Sequence, residues 1–225
     1  MKKNIQSKKK SNSSTKVKAK KALVGSQLKL KPIVKHKVKF IEGSHEYFVD
    51  GKKVMSVTEI LDKYSDHLDI FNDYANIPLF VLQRAAEKGT KLHKEIELFE
   101  KNNTMNDSIE LRNYIKLKKE LGFKVKFNEI LVVIKNNFDQ VVAAGRLDMV
   151  IEKDGQAGII DIKRTSKFYY QKVTAQINLY KIGLLYTYGI EASQLYCLRL
   201  REDVAEAHKI DDETHKIYEV LDLIK

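Results

Sequence analysis

Two strand-forming segments joined by a short polar turn constrain the fold of this chain most strongly. The segments cover residues 141–151 and 158–164, and Asp154-Gly155 lies between them. An Asp-Gly pair flanked by apolar residues is typical of a tight β-hairpin. The sequence therefore predicts two neighbouring antiparallel strands at this point in the chain.

Each predicted strand carries an acidic residue in an apolar context. Asp148 lies on the first strand, and Asp161 lies on the second, followed two residues later by Lys163. Side chains alternate along a strand, so Asp161 and Lys163 share one face while Ile160 and Ile162 point into the core. Carboxylates bind Mg²⁺ through oxygen, and a neighbouring lysine orients or activates a water and offsets charge at a phosphate. This set of groups is what metal-assisted phosphodiester cleavage requires.

The positive charge of the chain is concentrated at its N-terminus. The net charge is +11, yet residues 1–39 contain 14 Lys and no acidic residue, and the remainder has more acidic than basic side chains. We predict a basic, disordered tail over residues 1–36 and a single domain over residues 37–225. The tail is either a solubility segment or a sequence-independent binder of nucleic-acid phosphates, and the site downstream favours the second.

Several protein classes are excluded by composition. A single cysteine, Cys197, rules out a disulfide framework and any multi-cysteine zinc or iron–sulfur site. No apolar segment approaches the roughly 20 residues of a membrane span. No apolar stretch follows the basic start, and the first arginine is Arg84, so neither a secretory signal nor a mitochondrial transit peptide is expected. We therefore expect a cytoplasmic protein without membrane contact.

Apolar periodicity and turn residues predict an α/β fold. The expected strands cover residues 38–41, 46–49, 53–55, 129–134, 141–151, 158–164 and 194–200. One expected helix starts at Ile60-Leu61, just after Ser56-Val-Thr-Glu59. The other expected helices cover about residues 79–101, 108–121, 170–188 and 211–224. The order is helices, three antiparallel strands, helix, strand and helix, around a mixed central sheet.

Details within these helices give more specific expectations. Ser56-x-x-Glu59 has the form of a capping box. Asp211 or Asp212 is expected to cap the last helix. Gly89 lies inside a helical pattern, where glycine costs about 1 kcal/mol relative to alanine, so we expect a kink or the close approach of another group. The buried side of the helix over residues 170–188 is expected to comprise Ile177, Tyr180, Ile182, Leu184 and Leu185.

Other polar residues are ambiguous when each is taken singly. His93 shares a helix face with Gly89, and Gln176 shares one with Tyr180, because each pair is four residues apart. A lone helical histidine is more often structural than a ligand, and an amide–phenol pair more often lies at the edge of a core. Glu129 opens a predicted strand and points to either face.

Taken together, these residues resemble the RecB-like branch of the PD-(D/E)XK nuclease superfamily. The matching motifs occur in the family's order: Gly89-Thr-x-x-His93, Glu129, Gly145-x-x-Asp148, Asp161-x-Lys163 and Gln176-x-x-x-Tyr180. Residues 46–58 also look like phage-encoded members, and the resemblance covers about residues 45–200. It implies a restriction-endonuclease-like αβββαβ core with a mixed central sheet flanked by helices, plus an additional N-terminal β/helical segment.

Two features narrow the resemblance to one branch of the superfamily. The proline that gives the superfamily its name is absent, since Leu147 precedes Asp148; the Gly-x-x-Asp form is usual in the RecB-like branch. The iron–sulfur relatives need four cysteines, so Cys197 alone excludes that branch and no iron–sulfur cluster is expected.

The resemblance implies a role for each matching residue. Lys163 would be the catalytic lysine, and Glu129 would assist through water or the metal. An imidazole among the ligands makes Mn²⁺ a suitable alternative to Mg²⁺. The expected ligands are His93, Asp148, Asp161 and the backbone carbonyl of Ile162, and the expected DNA-contacting residues are Gln176, Tyr180, Arg146 and Arg164.

The expected function is metal-dependent hydrolysis of DNA. By analogy with the family, the first choice is an exonuclease that acts on DNA ends in phage-type recombination, replication or repair, in a bacterial or phage-infected cell. Its partners would be duplex ends or single-stranded DNA, with a single-strand annealing or single-strand-binding protein, and it would be able to form oligomers. The alternatives are a structure-selective endonuclease of the same fold and a non-catalytic DNA-binding recombination accessory protein. An RNA-binding protein with a basic tail has no support from an RNA-recognition aromatic motif.

Overall fold

The computed structural model describes residues 30–71 and 77–224, which form an α/β fold with an eight-stranded mixed sheet and helices on both faces. Within these ranges no helix is long and apolar enough to cross a membrane. The strands are β1 Val38–Ile41, β2 Glu46–Val49, β3 Lys52–Ser56, β4 Lys124–Lys135, β5 Val141–Lys153, β6 Gln156–Lys163, β7 Gln194–Leu200 and β8 Ala205–Lys209. The helices are α1 Val57–Lys63, α2 Leu79–Asn102, α3 Ile109–Leu121, α4 Tyr170–Tyr188 and α5 Thr214–Leu221, with a 3₁₀ turn at Asp66–Leu68.

The strand order confirms the predicted arrangement. β4, β5 and β6 are consecutive antiparallel neighbours, and β7 lies parallel to β6 after the α4 crossover. The predicted hairpin joins β5 to β6. Asp154 and Gly155 both have positive φ, 52° and 74°, as a two-residue type I′ turn requires.

The two larger of the three hydrophobic clusters in the described residues lie on opposite faces of the sheet. One packs α1, α4 and α5 against residues such as Val150 and Ile159. The other packs α2 and α3 against Ile160 and Ile162, whose inward orientation was predicted. The alternation of β6 therefore divides its side chains between the two cores and sends Asp161 toward the α4 side.

Some elements differ from the sequence predictions. β4 is twice as long as predicted, and β8 was missed because its sequence, Ala-Glu-Ala-His-Lys, has little apolar alternation. Leu185 is 46% exposed, not buried, because α4 is covered on most sides and this residue falls on the remaining solvent-facing strip.

The N-terminal ends of α1 and α5 test the two capping predictions. The capping box of α1 is present: Ser56 Oγ accepts from the Glu59 N–H, and the Glu59 carboxylate accepts from the Ser56 N–H. The prediction for α5 was wrong, because its N-cap is Glu213, which makes no side-chain cap bond. Asp212 instead accepts from the Thr214 N–H, 3.2 Å away, so its carboxylate closes a turn just before the helix.

The N-terminal segment that the structure describes is attached to the domain. Residues 1–29 of the predicted tail lie outside the described residues. The Ile33 N–H donates to the Thr187 carbonyl at 2.8 Å, and His36 lies between Asp50 and Tyr186, at 2.6 and 2.8 Å. Residues 30–36 thus belong to the folded unit rather than to a separate tail.

The sheet opens in the middle of β5. One edge of β5 pairs with β4 along nearly its whole length. The opposite edge pairs with β3 at Ala143 and Ala144, and with β6 only from Met149 onward. Residues 145–148 therefore lie in a fork where β3 and β6 diverge, and the described strands leave this stretch of the edge unpaired.

Candidate metal centre

Gly145 marks the inner end of the fork, where helices from one face approach the strand closely. A Cβ at this position would lie 2.8 Å from Val57 Cγ2 and 2.9 Å from Tyr180 Cε1. Because both neighbours are buried, only glycine fits without displacement of α1 or α4. The Gly145-x-x-Asp148 motif therefore has a packing reason for its glycine.

Asp148 replaces the missing backbone partner of β6. Its Oδ2 accepts the Ile162 N–H at 2.7 Å. The N–H and C=O of one strand residue point to the same edge, and here the Ile162 carbonyl accepts from His93 Nε2 at 3.2 Å. Two side chains thus satisfy the backbone groups that a neighbouring strand would otherwise pair.

His93 is brought to this edge by its helix. Leu92 and Ile96 bury one side of α2 in the core shared with α3, and His93 projects beside them. A carbonyl only accepts, so Nε2 carries the proton and Nδ1 faces the carboxylates. A histidine whose second nitrogen donates to a backbone carbonyl is typical of metal ligands.

Three side chains converge at the fork. His93 Nδ1 lies 3.5 Å from Asp148 Oδ1 and 3.8 Å from Glu129 Oε1. One ligand atom from each residue lies within 4.8 Å of the other two. One imidazole and two carboxylates form a donor set suited to a divalent cation, so these residues could hold a metal ion.

Glu129 reaches the site through an unusual backbone conformation. The residue lies in the middle of β4, not at its start, and has a φ of 52°. Left-handed backbone costs about 1–2 kcal/mol for a residue other than glycine. Such strain persists where the surrounding structure stabilises it, and it concentrates at functional sites. The strand pattern gave no direction for Glu129, and the structure turns it toward His93.

Asp161 and Lys163 form an ion pair beside this cluster. Lys163 Nζ lies 2.7 Å from Asp161 Oδ2, and the Cys197 thiol lies 3.9 Å from the same oxygen. Asp161 is 1% exposed. The sequence predicted Asp161 as a metal ligand; in the structure its carboxylate contacts the lysine, while Glu129 lies with His93 and Asp148.

The charges of the site are strongly coupled. Burial opposes the charge of His93, but Asp148 and Glu129 outweigh it and raise the pKa of His93 to about 10. Burial likewise opposes ionisation of Asp148, yet His93 and Lys163 lower its pKa. Burial and the neighbouring Asp148 raise the pKa of Asp161 despite Lys163. Burial would lower the pKa of Lys163, but Asp161 and Asp148 raise it, so the lysine stays protonated at neutral pH.

A cleft of about 760 Å³ opens above these groups. Gln176 and Tyr180 line it and contact each other, with Nε2 3.4 Å from the phenol oxygen. Sequence reasoning missed the basic residues of α2 that also line it, Arg84 and Lys88, although their spacing of four places both on one helix face. The basic residues around the cleft are Arg84, Lys88, Arg146, Lys163, Arg164, Lys167 and Arg201.

The two arginines predicted to contact DNA both form ion pairs. Arg146 Nε lies 2.9 Å from Glu129 Oε2. Arg164 lies 2.9 Å from Glu110 and 2.6 Å from Glu202, and its side chain is 10% exposed. Arg164 therefore joins the end of β6 to α3 and to the β7–β8 turn, although it also borders the cleft.

Gly89 borders the cleft without a packing reason. Helix α2 continues through it, and beyond the adjacent residues and backbone of α2 a Cβ there would meet no described atom within 4 Å. The expected close approach is therefore not made by any described part of the chain.

Comparisons with known proteins add little to this geometry. No protein-family model matches the chain, and no curated protein is significantly similar to it. A solved structure described as "Crystal structure of SSO0001" is similar over 75% of this chain and 73% of its own, with 18% sequence identity and a TM-score of 0.42. A similarity this weak indicates neither family nor function.

Proposed function

We propose that the protein is a metal-dependent deoxyribonuclease that hydrolyses phosphodiester bonds. The observation that carries the proposal is the convergence of His93, Glu129 and Asp148 beside the Asp161–Lys163 pair. These groups lie at the base of a cleft with a basic rim. Carboxylates serve a cation, and cationic side chains serve a phosphate, so the arrangement matches a phosphate ester bound over a metal.

The residues at the fork fit Mg²⁺ or Mn²⁺. His93 Nδ1, a Glu129 oxygen and Asp148 Oδ1 would hold the cation, whose chemistry would be to lower the pKa of a bound water and neutralise developing phosphate charge. The Ile162 carbonyl, also assigned to the metal by the family resemblance, accepts the His93 Nε2–H and so fixes which nitrogen faces the carboxylates. The imidazole favours Mn²⁺ as an alternative to Mg²⁺.

Lys163 would act as a cation rather than as a general base. Because Asp161 and Asp148 raise its pKa, its ammonium group keeps its proton at neutral pH. From beside Asp161 it would donate to the attacking water or to a phosphate oxygen and hold it in position. Asp161 in turn fixes the ammonium group at 2.7 Å.

Attack at DNA ends is the preferred mode, and it rests on the family resemblance. An endonuclease would use the same catalytic groups, so the site alone does not separate the two modes. The substrate topology does: an exonuclease requires an end and leaves a closed circle intact.

The test is a cleavage assay with Mg²⁺ or Mn²⁺ on linear DNA labelled at the 5′ or 3′ end, on closed circular DNA and on RNA. We expect metal-dependent loss of one terminal label from linear DNA first. Digestion of closed circles at the same rate would replace the exonuclease with an endonuclease. Absence of hydrolysis on every substrate, by protein that binds Mn²⁺, would refute the nuclease proposal and favour a DNA-binding accessory role.

A further inference from the structure

The β1–β2 hairpin, which precedes the helix–three-strand–helix–strand core, also contributes to the candidate metal centre. His45 and Tyr47 of this hairpin line the cleft. The hairpin reaches the metal cluster through one residue of β5, Arg146. Arg146 was predicted from the sequence to contact DNA, and its contacts in the structure support a different role.

Arg146 connects the hairpin to Glu129. Its guanidinium carbon lies 5.0 Å from the centroid of the Phe40 ring, within the range of a cation–π contact. Its Nε lies 2.9 Å from Glu129 Oε2. Arg146 also lies close enough to Tyr47 that its charge opposes the rise in the pKa of Tyr47 that burial causes.

The aromatic side chains of the hairpin support one another. The Phe40 and Tyr47 rings lie 4.7 Å apart, and His45 packs edge-on against Phe40 at 5.2 Å. Tyr47 is buried, at 3% exposure. The ring that faces Arg146 is therefore held in place by its neighbours and is not free to follow the guanidinium.

The consequence falls on the two oxygens of Glu129. Oε2 is occupied by Arg146, and Oε1 is directed toward His93 Nδ1. A glutamate with strained, left-handed backbone would relax its side chain in several directions without such a partner. The ion pair leaves one oxygen available on the side of the metal cluster.

We propose that Arg146 is a positioning residue, held by the Phe40 ring that packs on Tyr47, and that it fixes Glu129 as a single-oxygen ligand for a divalent cation. The N-terminal hairpin is then a functional part of the site and not only an additional layer of the fold. The inference rests on the metal site proposed above, and it does not depend on the reaction catalysed there.

The test measures Mn²⁺ affinity by calorimetry on the full chain without DNA. Arg146→Lys retains the charge but loses the planar guanidinium group. We expect the Mn²⁺ affinity to fall at least about tenfold, as for other partners of metal ligands. Phe40→Leu retains apolar bulk but loses the ring face, and we expect a fall of about two- to fivefold. Lys126→Ala is the matched control, since Lys126 pairs with Glu152 at 2.9 Å on the same two strands, and its affinity should equal that of the wild type.

A double-mutant cycle identifies the route of the effect. If Arg146 acts through Glu129, then Arg146→Lys should cause no further loss in a Glu129→Gln background. Additive losses, or equal affinity in the wild type, Arg146→Lys and Phe40→Leu, would overturn the inference while leaving the metal site intact. A wild-type protein that binds no Mn²⁺ would overturn the metal site and this inference together. A protein that binds Mn²⁺ but cleaves no DNA would overturn the nuclease proposal alone. Thermal unfolding of each variant checks that it is folded.

Discussion

Gly145→Ala is expected to destabilise the protein by a predictable amount. The added methyl would lie 2.8 Å from Val57 Cγ2 and 2.9 Å from Tyr180 Cε1, closer than carbon atoms pack. The two neighbours press from different helices and both are buried, so neither rotates away. Overpacking of a core costs about 1–3 kcal/mol, which for a domain of this size lowers the melting temperature by roughly 2–12 °C.

Gly89→Ala is a control with the opposite expected sign. It places the same methyl group on α2, where no described atom beyond the adjacent residues and backbone of that helix lies within 4 Å. Alanine is better than glycine in a helix interior by about 0.5–1 kcal/mol. We therefore expect a melting temperature higher by roughly 1–4 °C, from an identical chemical change.

Urea and thermal denaturation of both variants measure the difference directly. A Gly145→Ala protein as stable as the wild type would refute the packing account of the Gly145-x-x-Asp148 motif. A destabilised Gly89→Ala protein would refute the account of α2 as a continuous helix with open space at Gly89. If Gly89→Ala is stabilised yet loses DNA cleavage, the glycine leaves room for the substrate.

Three further outcomes follow from the site and the tail. Lys163→Ala should retain Mn²⁺ affinity and lose at least about 100-fold in cleavage rate. Lys153→Ala is the control, because this half-buried lysine lies at the far end of the same hairpin, and it should lose little activity. Cleavage retained by Lys163→Ala would remove Lys163 from the mechanism. The pKa of His93 is raised to about 10 because nearby carboxylates outweigh burial, so cation binding below that pH must displace its proton, and affinity should rise about tenfold per pH unit. Calorimetry in buffers of different ionisation enthalpy counts that proton, and a count of zero would exclude His93 as a ligand. Deletion of residues 1–29, which contain ten lysines, should weaken DNA binding and flatten its salt dependence without changing the melting temperature. A longer deletion, of residues 1–36, should also lower the melting temperature. DNA affinity unchanged by the shorter deletion would leave residues 1–29 a solubility tail.

The fold was predictable where local pattern decides the structure. The type I′ hairpin at Asp154-Gly155 and the capping box at Ser56 both depend on neighbours in sequence, and both are present. β8 was not predictable, because its pairing with β7 is decided by tertiary contact and not by its own alternation. The exposure of Leu185 was missed because α4 is buried over most of its circumference, so periodicity no longer distinguishes a buried side.

The candidate site was predictable in its membership more than in its geometry. The positions of Asp148, Asp161 and Lys163 follow from the alternation of side chains along the two strands of the predicted hairpin. The direction of Glu129 does not, since it depends on a left-handed residue inside a strand, which no propensity favours. The ion pair of Arg146 with Glu129 likewise depends on packing from a hairpin about 100 residues earlier in the chain.

The fork in β5 gives the molecule an internal reporter. The Ile162 amide is held by a side chain, the Asp148 carboxylate, whereas the flanking amides of β6 are held by neighbouring strands. Its hydrogen-exchange rate should therefore follow the state of that carboxylate, not the stability of the sheet. The signal of this one amide in a nuclear magnetic resonance spectrum would then show whether a cation occupies the fork, without a substrate, a label or turnover.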